Sequence, residues 1–205
     1  MVELLDYFRS SASFRVRIVL NLKEIEHQLT AISLLDGDQQ SADYKAINPA
    51  GLVPTLMTEK GKLSQSLAII EYLDELYPHA PLLPNDGWQR AQIRSLALQI
   101  CCDIHPLNNL RVLKYLNQQL QVSDEQKTEW YQHWLATGFE ALEAELQNGD
   151  SLFSYSDNPN LLDVCLIPQV FNALRYQFDM SPYPTLLRIY QHGITLKPIK
   201  DALPD

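Results

Sequence analysis

The first 77 residues alternate between short apolar runs with the period of a β-strand and longer runs with the period of an α-helix. The strand-like runs, each bounded by turn residues, are Val2–Tyr7, His27–Ser33, Pro54–Met57 and Lys62–Ser64. The helix-like runs are Ser13–Lys23, Asp43–Ile47 and Leu67–Tyr77. Because β-branched residues are frequent in the first helix-like run, a strand is the alternative there. The order β-α-β-α-β-β-α predicts a compact α/β layer.

A proline-rich segment ends this pattern, with three prolines between Pro78 and Pro84. Since proline stops helices and stiffens connections, we place a linker at residues 79–87. Beyond it only helical spacing occurs, and it predicts helices over 88–119, 124–147, 160–176 and 183–192. Two of these follow capping-box patterns, Ser123–Gln126 and Asn160–Asp163. The sequence therefore predicts an α/β thioredoxin-like N-terminal domain at residues 1–78 and an all-α C-terminal domain at residues 88–205.

The composition is that of a globular protein with an acidic balance: 46% of the 205 residues are hydrophobic, and the formal net charge is −9. That charge argues against nucleic acid and anionic membranes as partners, and an anionic substrate would need a local group of arginines. No apolar run is long enough to span a membrane, and the N-terminus lacks a signal-peptide pattern, so we expect a cytoplasmic protein. Its three cysteines are expected to be reduced thiols, and its five scattered histidines predict no metal site.

Small hydroxyl residues occur where the first strand-like run turns into the first helix-like run, at Ser10, Ser11 and Ser13. A helix N-terminus offers free backbone N–H groups and the positive end of the helix dipole, which favour a bound anion. A serine hydroxyl at this place can donate a hydrogen bond to a thiolate, a carboxylate or a phosphate. The alternative is that these serines only cap the helix. No histidine–aspartate pair lies beside them in the sequence, which argues against hydrolase chemistry.

Motifs spread over nearly the whole chain resemble those of the zeta class of cytosolic glutathione transferases. Those in the first half are Tyr7–Ile18 (YFRSSASFRVRI), Asn48–Leu56 (NPAGLVPTL) and Gln65–Leu73 (QSLAIIEYL). Those in the second half are His105–Leu110, Asp163–Gln169 and Ser181–Pro184. The serine pair followed by Arg-Val-Arg-Ile is more specific to the zeta class than the Val-Pro-Thr-Leu and Gln-Ser pieces. One position departs from the pattern, because Ala12 stands where the zeta class has cysteine.

The resemblance implies a glutathione site in the first domain. Ser10, with Ser11 next to it, would hydrogen-bond the glutathione sulfur, and these two serines are the candidate catalytic residues. Gln65 and Ser66 would bind the γ-glutamyl carboxylate at a helix N-terminus, where the alternative is an ordinary cap. A cis peptide bond at Val53–Pro54 would present the backbone of Val53 to the cysteinyl part of glutathione. The alternative is a trans proline that begins an edge strand.

Further residues enter the expected site through the same resemblance. The remaining glutathione-binding candidates are Ala12, Arg15, Gln39, His105 and Asn109. Arg15, like Arg17, is also explained by a place on the helix surface or in an ion pair. Guanidinium groups match carboxylates, so the expected substrate-binding residues are Arg9, Arg111 and Arg175. Arg175 lies on an otherwise apolar helix, which disfavours a solvated role, and the helical domain would supply the substrate pocket.

The activity that the resemblance implies is the glutathione-dependent cis–trans isomerisation of maleylacetoacetate to fumarylacetoacetate, in tyrosine and phenylalanine breakdown. Glutathione would be the cofactor and a homodimer the assembly. Three alternatives stay open: an isomerase of maleylpyruvate, a transferase that conjugates glutathione to electrophiles, and a binding or stress protein without activity. Ala12 favours the transferase. The retained serine pair and Gln-Ser pair oppose the inactive protein.

Overall fold

A computed structural model describes residues 1–204, which divide into two compact units. The first unit contains a four-stranded mixed sheet with the strand order β2-β1-β3-β4. The strands are β1 (Val2–Asp6), β2 (His27–Ala31), β3 (Thr55–Thr58) and β4 (Gly61–Ser64). β1 runs parallel to β2, with Leu4 opposite Leu29, and antiparallel to β3, with Leu4 opposite Leu56. The predicted hairpin is confirmed, with Thr58 opposite Gly61 at its turn.

Within residues 1–81, three helices accompany this sheet, together with a 3₁₀ turn at Asp38–Gln40. They are α1 (Ser11–Leu22), α2 (Ala42–Ile47) and α3 (Ser66–Leu76). Helices α1 and α3 pack against each other, and Ile18 and Ile69 are completely buried. The first helix-like run is thus a helix despite its β-branched residues, because tertiary packing overrides their local preference.

The second unit, Leu82–Ile194, is helical. Its helices are α4 (Gly87–Leu98), α5 (Leu110–Gln118), α6 (Asp124–Leu146), α7 (Leu161–Arg175) and α8 (Pro184–Gly193). The prediction of one helix over 88–119 is wrong, because α4 passes into a π-helical segment, Gln99–Ile104, and a turn precedes α5. Pro106 explains the break, since proline has no N–H to continue the helical hydrogen bonds. Asn109 then caps α5 by accepting a bond from the N–H of Arg111 (3.1 Å).

Both predicted capping boxes are formed. Ser123 and Gln126 exchange side chain–backbone bonds of 3.1 and 3.2 Å at the start of α6. Asn160 and Asp163 do the same at the start of α7, where Asp163 Oδ2 accepts from the N–H of Asn160 (2.9 Å). Because Asp163 is completely buried, desolvation raises its pKa to about 6. These caps satisfy N–H groups that a helix start otherwise leaves without partners.

The described residues from Thr195 onward belong to the first unit, although the sequence pattern predicts them to be part of the helical domain. There α9 (Lys197–Lys200) contacts α1. Asn21 Nδ2 donates to the carbonyl of Pro198 (2.9 Å), and Arg17 Nε donates to that of Ala202 (3.2 Å). Hydrogen-bonding side chains on α1 therefore hold this segment. No helix between residues 1 and 204 is both long and apolar enough to cross a membrane.

Candidate functional site

The serines of the sequence motif form the N-terminus of α1. Ser10 is the cap residue, and its Oγ accepts a bond from the N–H of Ser13 (3.2 Å). The N–H groups of Ser11 and Ala12 have no acceptor among the described residues. Because Ser10 accepts in the capping bond, its own proton is left to hydrogen-bond a ligand. This turn therefore offers the donors that an anion requires.

The N-terminus of α3 offers a second set of donors. Its cap residue, Gln65, is exposed, makes no side-chain cap bond and has a φ of 72°. A residue other than glycine in this left-handed region is strained, and such strain concentrates at ligand sites. Within residues 1–204 the N–H groups of Ser66, Leu67 and Ala68 find no acceptor. Both residues predicted to hold a carboxylate thus lie at a helix end that lacks an internal cap.

Arg15 connects the two helix starts. Its side chain is only 2% exposed, and NH1 donates to Ser66 Oγ at 3.3 Å. Nε and NH2 are buried without a hydrogen-bond partner, and Arg15 forms no ion pair in the part of the chain that the structure describes. Burying an uncompensated charge costs several kcal/mol, so this guanidinium favours an anionic ligand nearby. The surface explanation of Arg15 is wrong, because α1 is buried around nearly its whole circumference, and the described residues give Arg15 no ion-pair partner.

Arg17 has a different role from Arg15. Its NH1 group contacts both carboxylate oxygens of Asp6, at 2.7 and 2.9 Å, so the predicted ion pair is confirmed. The pair is buried, and desolvation lowers the pKa of Arg17 against the opposing effect of Asp6. NH2 also donates to the carbonyl of Phe8 (2.9 Å), just before the serine turn. Arg17 therefore holds the segment that leads into Ser10.

The Val53–Pro54 peptide bond is cis, as predicted. The preceding carbonyl, that of Leu52, accepts bonds from the hydroxyl of Tyr44 (2.6 Å) and from Asn48 Nδ2 (2.8 Å). The backbone N–H and C=O of Val53 have no partner within residues 1–204. They are therefore available to a ligand. Tyr44 and Asn48, which support this loop, were not among the predicted site residues. The Asn48–Gly51 turn pattern was a signal for Asn48 alone.

Gln39 lies next to the same loop. A Cβ atom added at Gly51 would come within 3.0 Å of the carbonyl oxygen of Gln39, and Gly51 has a φ of 61°. The neighbouring Gln40 donates from Nε2 to the carbonyl of Gly51 (3.2 Å). Gln39 Oε1 is buried and, among the described residues, unpartnered. The structure thus brings Gln39 and the Val53–Pro54 loop together, although they are distant from each other in the sequence.

In the second unit, His105 and Asn109 lie in the turn between the π-helical segment and α5. Their side chains approach to 3.4 Å, between His105 Nε2 and Asn109 Nδ2, and both are partly buried. Asn109 also caps α5 through the N–H of Arg111, whose side chain is exposed. The structure therefore places His105 and Asn109 in this turn and Arg111 in the first turn of α5.

Arg175 is the last residue of α7 and is exposed, so the expectation that it would not be solvated is wrong. Its guanidinium donates to Asn172 Oδ1 (2.9 Å) and lies 4.8 Å from the ring centroid of Tyr176. Asn172 in turn donates to the hydroxyl of Tyr131 (2.8 Å). Arg175 is thus oriented by its neighbours while its charge remains accessible to solvent. Arg9, in the first unit, is also exposed.

Known proteins resemble both the first unit and the chain as a whole. The family model described as the glutathione S-transferase N-terminal domain matches residues 9–76. The chain is 46% identical to the probable maleylacetoacetate isomerase of Vibrio cholerae, over 98% of this chain and 95% of that protein.

Two solved structures are also similar over almost the full length. One is a holo structure of a maleylpyruvate isomerase, described as a bacterial glutathione S-transferase in the zeta class. It has a TM-score of 0.96 and 39% identity, over 98% of this chain and 96% of that one. The other is a maleylacetoacetate isomerase from Anaeromyxobacter dehalogenans with bound dicarboxyethyl glutathione and citrate. Its TM-score is 0.89 and its identity 38%, over 100% of this chain and 95% of that one.

Proposed function

The chain belongs to the zeta class of glutathione transferases, and from that premise we propose that it converts maleylacetoacetate to fumarylacetoacetate with glutathione as its cofactor. The observation that carries the proposal is the buried Arg15 guanidinium at Ser66, beside a helix start with free N–H groups. A carboxylate fits this place, because it accepts several N–H bonds and compensates a buried cation. Gln65 and Ser66 hold the γ-glutamyl carboxylate there.

Two further groups of donors and acceptors in the first unit match the rest of glutathione. The unpaired N–H and C=O of Val53 suit the peptide backbone of the cysteinyl residue, and Gln39 supplies a free amide oxygen beside them. Ser10 donates to the sulfur, and the N–H groups of Ser11 and Ala12 add their dipoles. A free thiol with a pKa of about 8.5 is mostly protonated at neutral pH, and these donors favour its thiolate form.

Bound glutathione supplies a thiolate that adds to the cis double bond, permits rotation about the resulting single bond and leaves to give the trans alkene. Ser10 keeps that sulfur charged before addition and stabilises it again as the leaving group. The addition places negative charge on a carbonyl oxygen of the substrate, and cationic or N–H donors lower the energy of that state. Ala12 brings no second thiol to the turn, so its part is limited to its backbone N–H.

The proposed substrate is a diketo acid with carboxylate groups. Three arginines are our candidates for binding these carboxylates: Arg9, Arg111 and Arg175. All three are exposed, and guanidinium groups bind carboxylates through paired N–H donors. Because the net charge of −9 repels an anionic substrate, binding it requires positively charged side chains such as these. We also place His105 and Asn109 among the glutathione contacts. The relative with bound dicarboxyethyl glutathione supports sulfur addition to a dicarboxylate.

The decisive experiment follows the loss of maleylacetone, a cis substrate analogue, with and without glutathione. We expect turnover to depend on glutathione while glutathione itself is not consumed. A rate independent of glutathione would refute the proposal. Consumption of glutathione in proportion to substrate would instead favour the conjugating transferase.

Maleylpyruvate is a second candidate substrate, because a maleylpyruvate isomerase has a nearly identical fold. The ratio of kcat/KM for the two acids decides between them. If maleylpyruvate has the higher kcat/KM, the proposed role of the enzyme in tyrosine and phenylalanine breakdown is wrong. The proposed isomerase reaction would still hold.

We further propose that the protein is a cytoplasmic homodimer. A two-fold symmetric pair is the commonest oligomeric state of soluble proteins. Sedimentation equilibrium of the full chain tests the assembly, and fractionation of cells tests the location. A monomer at micromolar concentration, or recovery in a membrane or extracellular fraction, would contradict the respective statement.

A further inference from the structure

Two of the three cysteines meet inside the helical unit. Cys101 lies on the π-helical segment Gln99–Ile104, Cys165 lies on α7, and their Sγ atoms are 3.7 Å apart. Neither is in a disulfide. Because 64 positions separate the two cysteines, only the tertiary structure shows that they are in contact. Two sulfurs at this separation are in contact and need only a small approach to bond.

We propose that Cys101 and Cys165 form a redox modification site, which is converted to an intramolecular disulfide by a low-molecular-weight disulfide such as glutathione disulfide. The two thiols differ in access, because Cys101 is partly exposed and Cys165 is completely buried. Cys101 therefore reacts first with a molecule from solution, and Cys165 reacts second, from within the protein. This proposal does not depend on the isomerase activity.

The reaction proceeds by two exchanges. The Cys101 thiolate attacks one sulfur of glutathione disulfide, so that a Cys101–glutathione bond forms and one glutathione thiolate leaves. The Cys165 thiolate then attacks Cys101 Sγ, which breaks that bond and releases the second glutathione. The two cysteines are oxidised by two electrons, glutathione disulfide is reduced to two glutathione molecules, and the two cysteine protons end on those products or in solvent.

The local structure favours this pairing over the other possible ones. A disulfide is about 2.05 Å long, so the sulfurs must approach by roughly 1.7 Å. The π-helical segment packs directly on α7, so the two elements that carry the pair already lie side by side. Cys102 is exposed and adjacent to Cys101 in the chain. A bond between neighbouring residues is strained, which leaves Cys165 as the better partner.

The test uses the full chain with the substitution Cys102→Ser, which removes the exposed thiol and leaves the pair. Trypsin cleaves after Arg94, Arg111, Lys127 and Arg175, so Cys101 and Cys165 lie on different peptides, 95–111 and 128–175. After incubation with glutathione disulfide, we expect both thiols to be lost to maleimide labelling in denaturant. The intact mass should fall by two hydrogen atoms, the two peptides should be linked, and dithiothreitol should restore both thiols.

The matched control carries Cys101→Ser, in which Cys165 should stay reduced under the same conditions. The wild-type chain gives an independent check, because fragmentation between Cys101 and Cys102 identifies the linked residue. The proposal is overturned if the Cys102→Ser chain retains both thiols, or if it gains one glutathione while Cys165 stays reduced. A Cys101–Cys102 disulfide in the wild-type chain would overturn it as well.

Discussion

Arg15 and Ser66 stand 51 positions apart in the chain, and a hydrogen bond of 3.3 Å from NH1 to Oγ joins them. The bond connects the second turn of α1 to the first residue of α3, so one buried cation lies between the two helices. The Nε and NH2 atoms of Arg15 have no hydrogen-bond partner within residues 1–204. A buried charge arranged in this way is costly without a ligand and favourable with an anionic one.

Replacing Arg15 should therefore weaken glutathione binding without lowering the stability of the protein in the absence of glutathione. We expect Arg15→Met to weaken glutathione binding about 10- to 100-fold, since bonds to charged groups contribute about 1.5–3 kcal/mol. Without glutathione the variant should be at least as stable as the wild type, because an uncompensated buried charge has been removed. Calorimetric titration and urea unfolding measure the two effects.

Lys45→Met is the matched control for Arg15→Met, because Lys45 is exposed on α2 of the same unit. It should change neither quantity appreciably. A glutathione affinity of Arg15→Met equal to that of the wild type would contradict the role of Arg15, and so would a large loss of stability in the absence of glutathione.

Removing the hydroxyl of Ser10 should affect turnover more than binding. We expect Ser10→Ala to lower kcat about tenfold or more, because one donor to the thiolate is worth at least about 1.4 kcal/mol. The affinity for glutathione should change less, since its carboxylate is held elsewhere. The ultraviolet absorbance of the bound thiolate should decline at neutral pH together with kcat.

Ser10 is also a helix cap, and Ser10→Gly separates that role from catalysis. Alanine at a cap costs about 1 kcal/mol and glycine only a few tenths. Both variants should lose the same activity while Ser10→Gly stays the more stable. If Ser11→Ala loses more activity than either, the thiolate donor is Ser11.

The ammonium group of Lys23 should be essential for stability. Its side chain is completely buried, and it donates to three carbonyls and pairs with Asp74 at 2.8 Å. The carbonyls are those of Tyr77, His79 and Ala80, at 2.7, 2.9 and 3.2 Å. We expect Lys23→Met to lower the free energy of unfolding by about 3–5 kcal/mol, because it removes a buried ammonium group and leaves the three carbonyls without that donor.

Urea unfolding followed by circular dichroism measures this loss. Lys60→Met, at an exposed position of the β3–β4 turn, is the matched control and should stay within about 0.5 kcal/mol of the wild type. A similar loss in both variants would show that the buried contacts of Lys23 do not account for the loss of stability.

Asp163 should make stability fall as pH rises through the acid range. Burial raises its pKa to about 6, against the lowering effect of bonds from the N–H groups of Asn160 and Ser154. The folded protein then holds a proton that the unfolded chain, with a pKa near 3.8, has already lost. The stabilising contribution is complete below about pH 4 and is lost as pH rises through about 6, amounting to roughly 3 kcal/mol.

Comparison with Asp163→Asn isolates this effect, because the other titrating groups are common to both chains. The stability advantage of the wild type over the variant should be largest near pH 4 and smallest at pH 7. An advantage that grows with pH would mean that the hydrogen bonds to the carboxylate outweigh its desolvation.

Much of the fold and of the candidate site follows from local pattern in the sequence. The strands and the β3–β4 hairpin appear as apolar runs and turns, and the boxes at Ser123 and Asn160 depend on residues three apart. The serine turn and the Gln65–Ser66 helix start are also local. Such features are readable because each depends on the spacing and chemistry of neighbouring residues.

Tertiary structure decided what local pattern left open. Arg15 and Arg17 are two residues apart on one helix, yet one becomes an unpaired buried cation at Ser66 and the other a buried ion pair with Asp6. Helical spacing alone did not locate the π-helical segment, the return of α9 to the first unit or the contact between Cys101 and Cys165. The sequence by itself determined the strands, the caps and most of the helices, because these depend on neighbouring residues. Packing determined their burial and their partners, because both depend on residues far away in the chain.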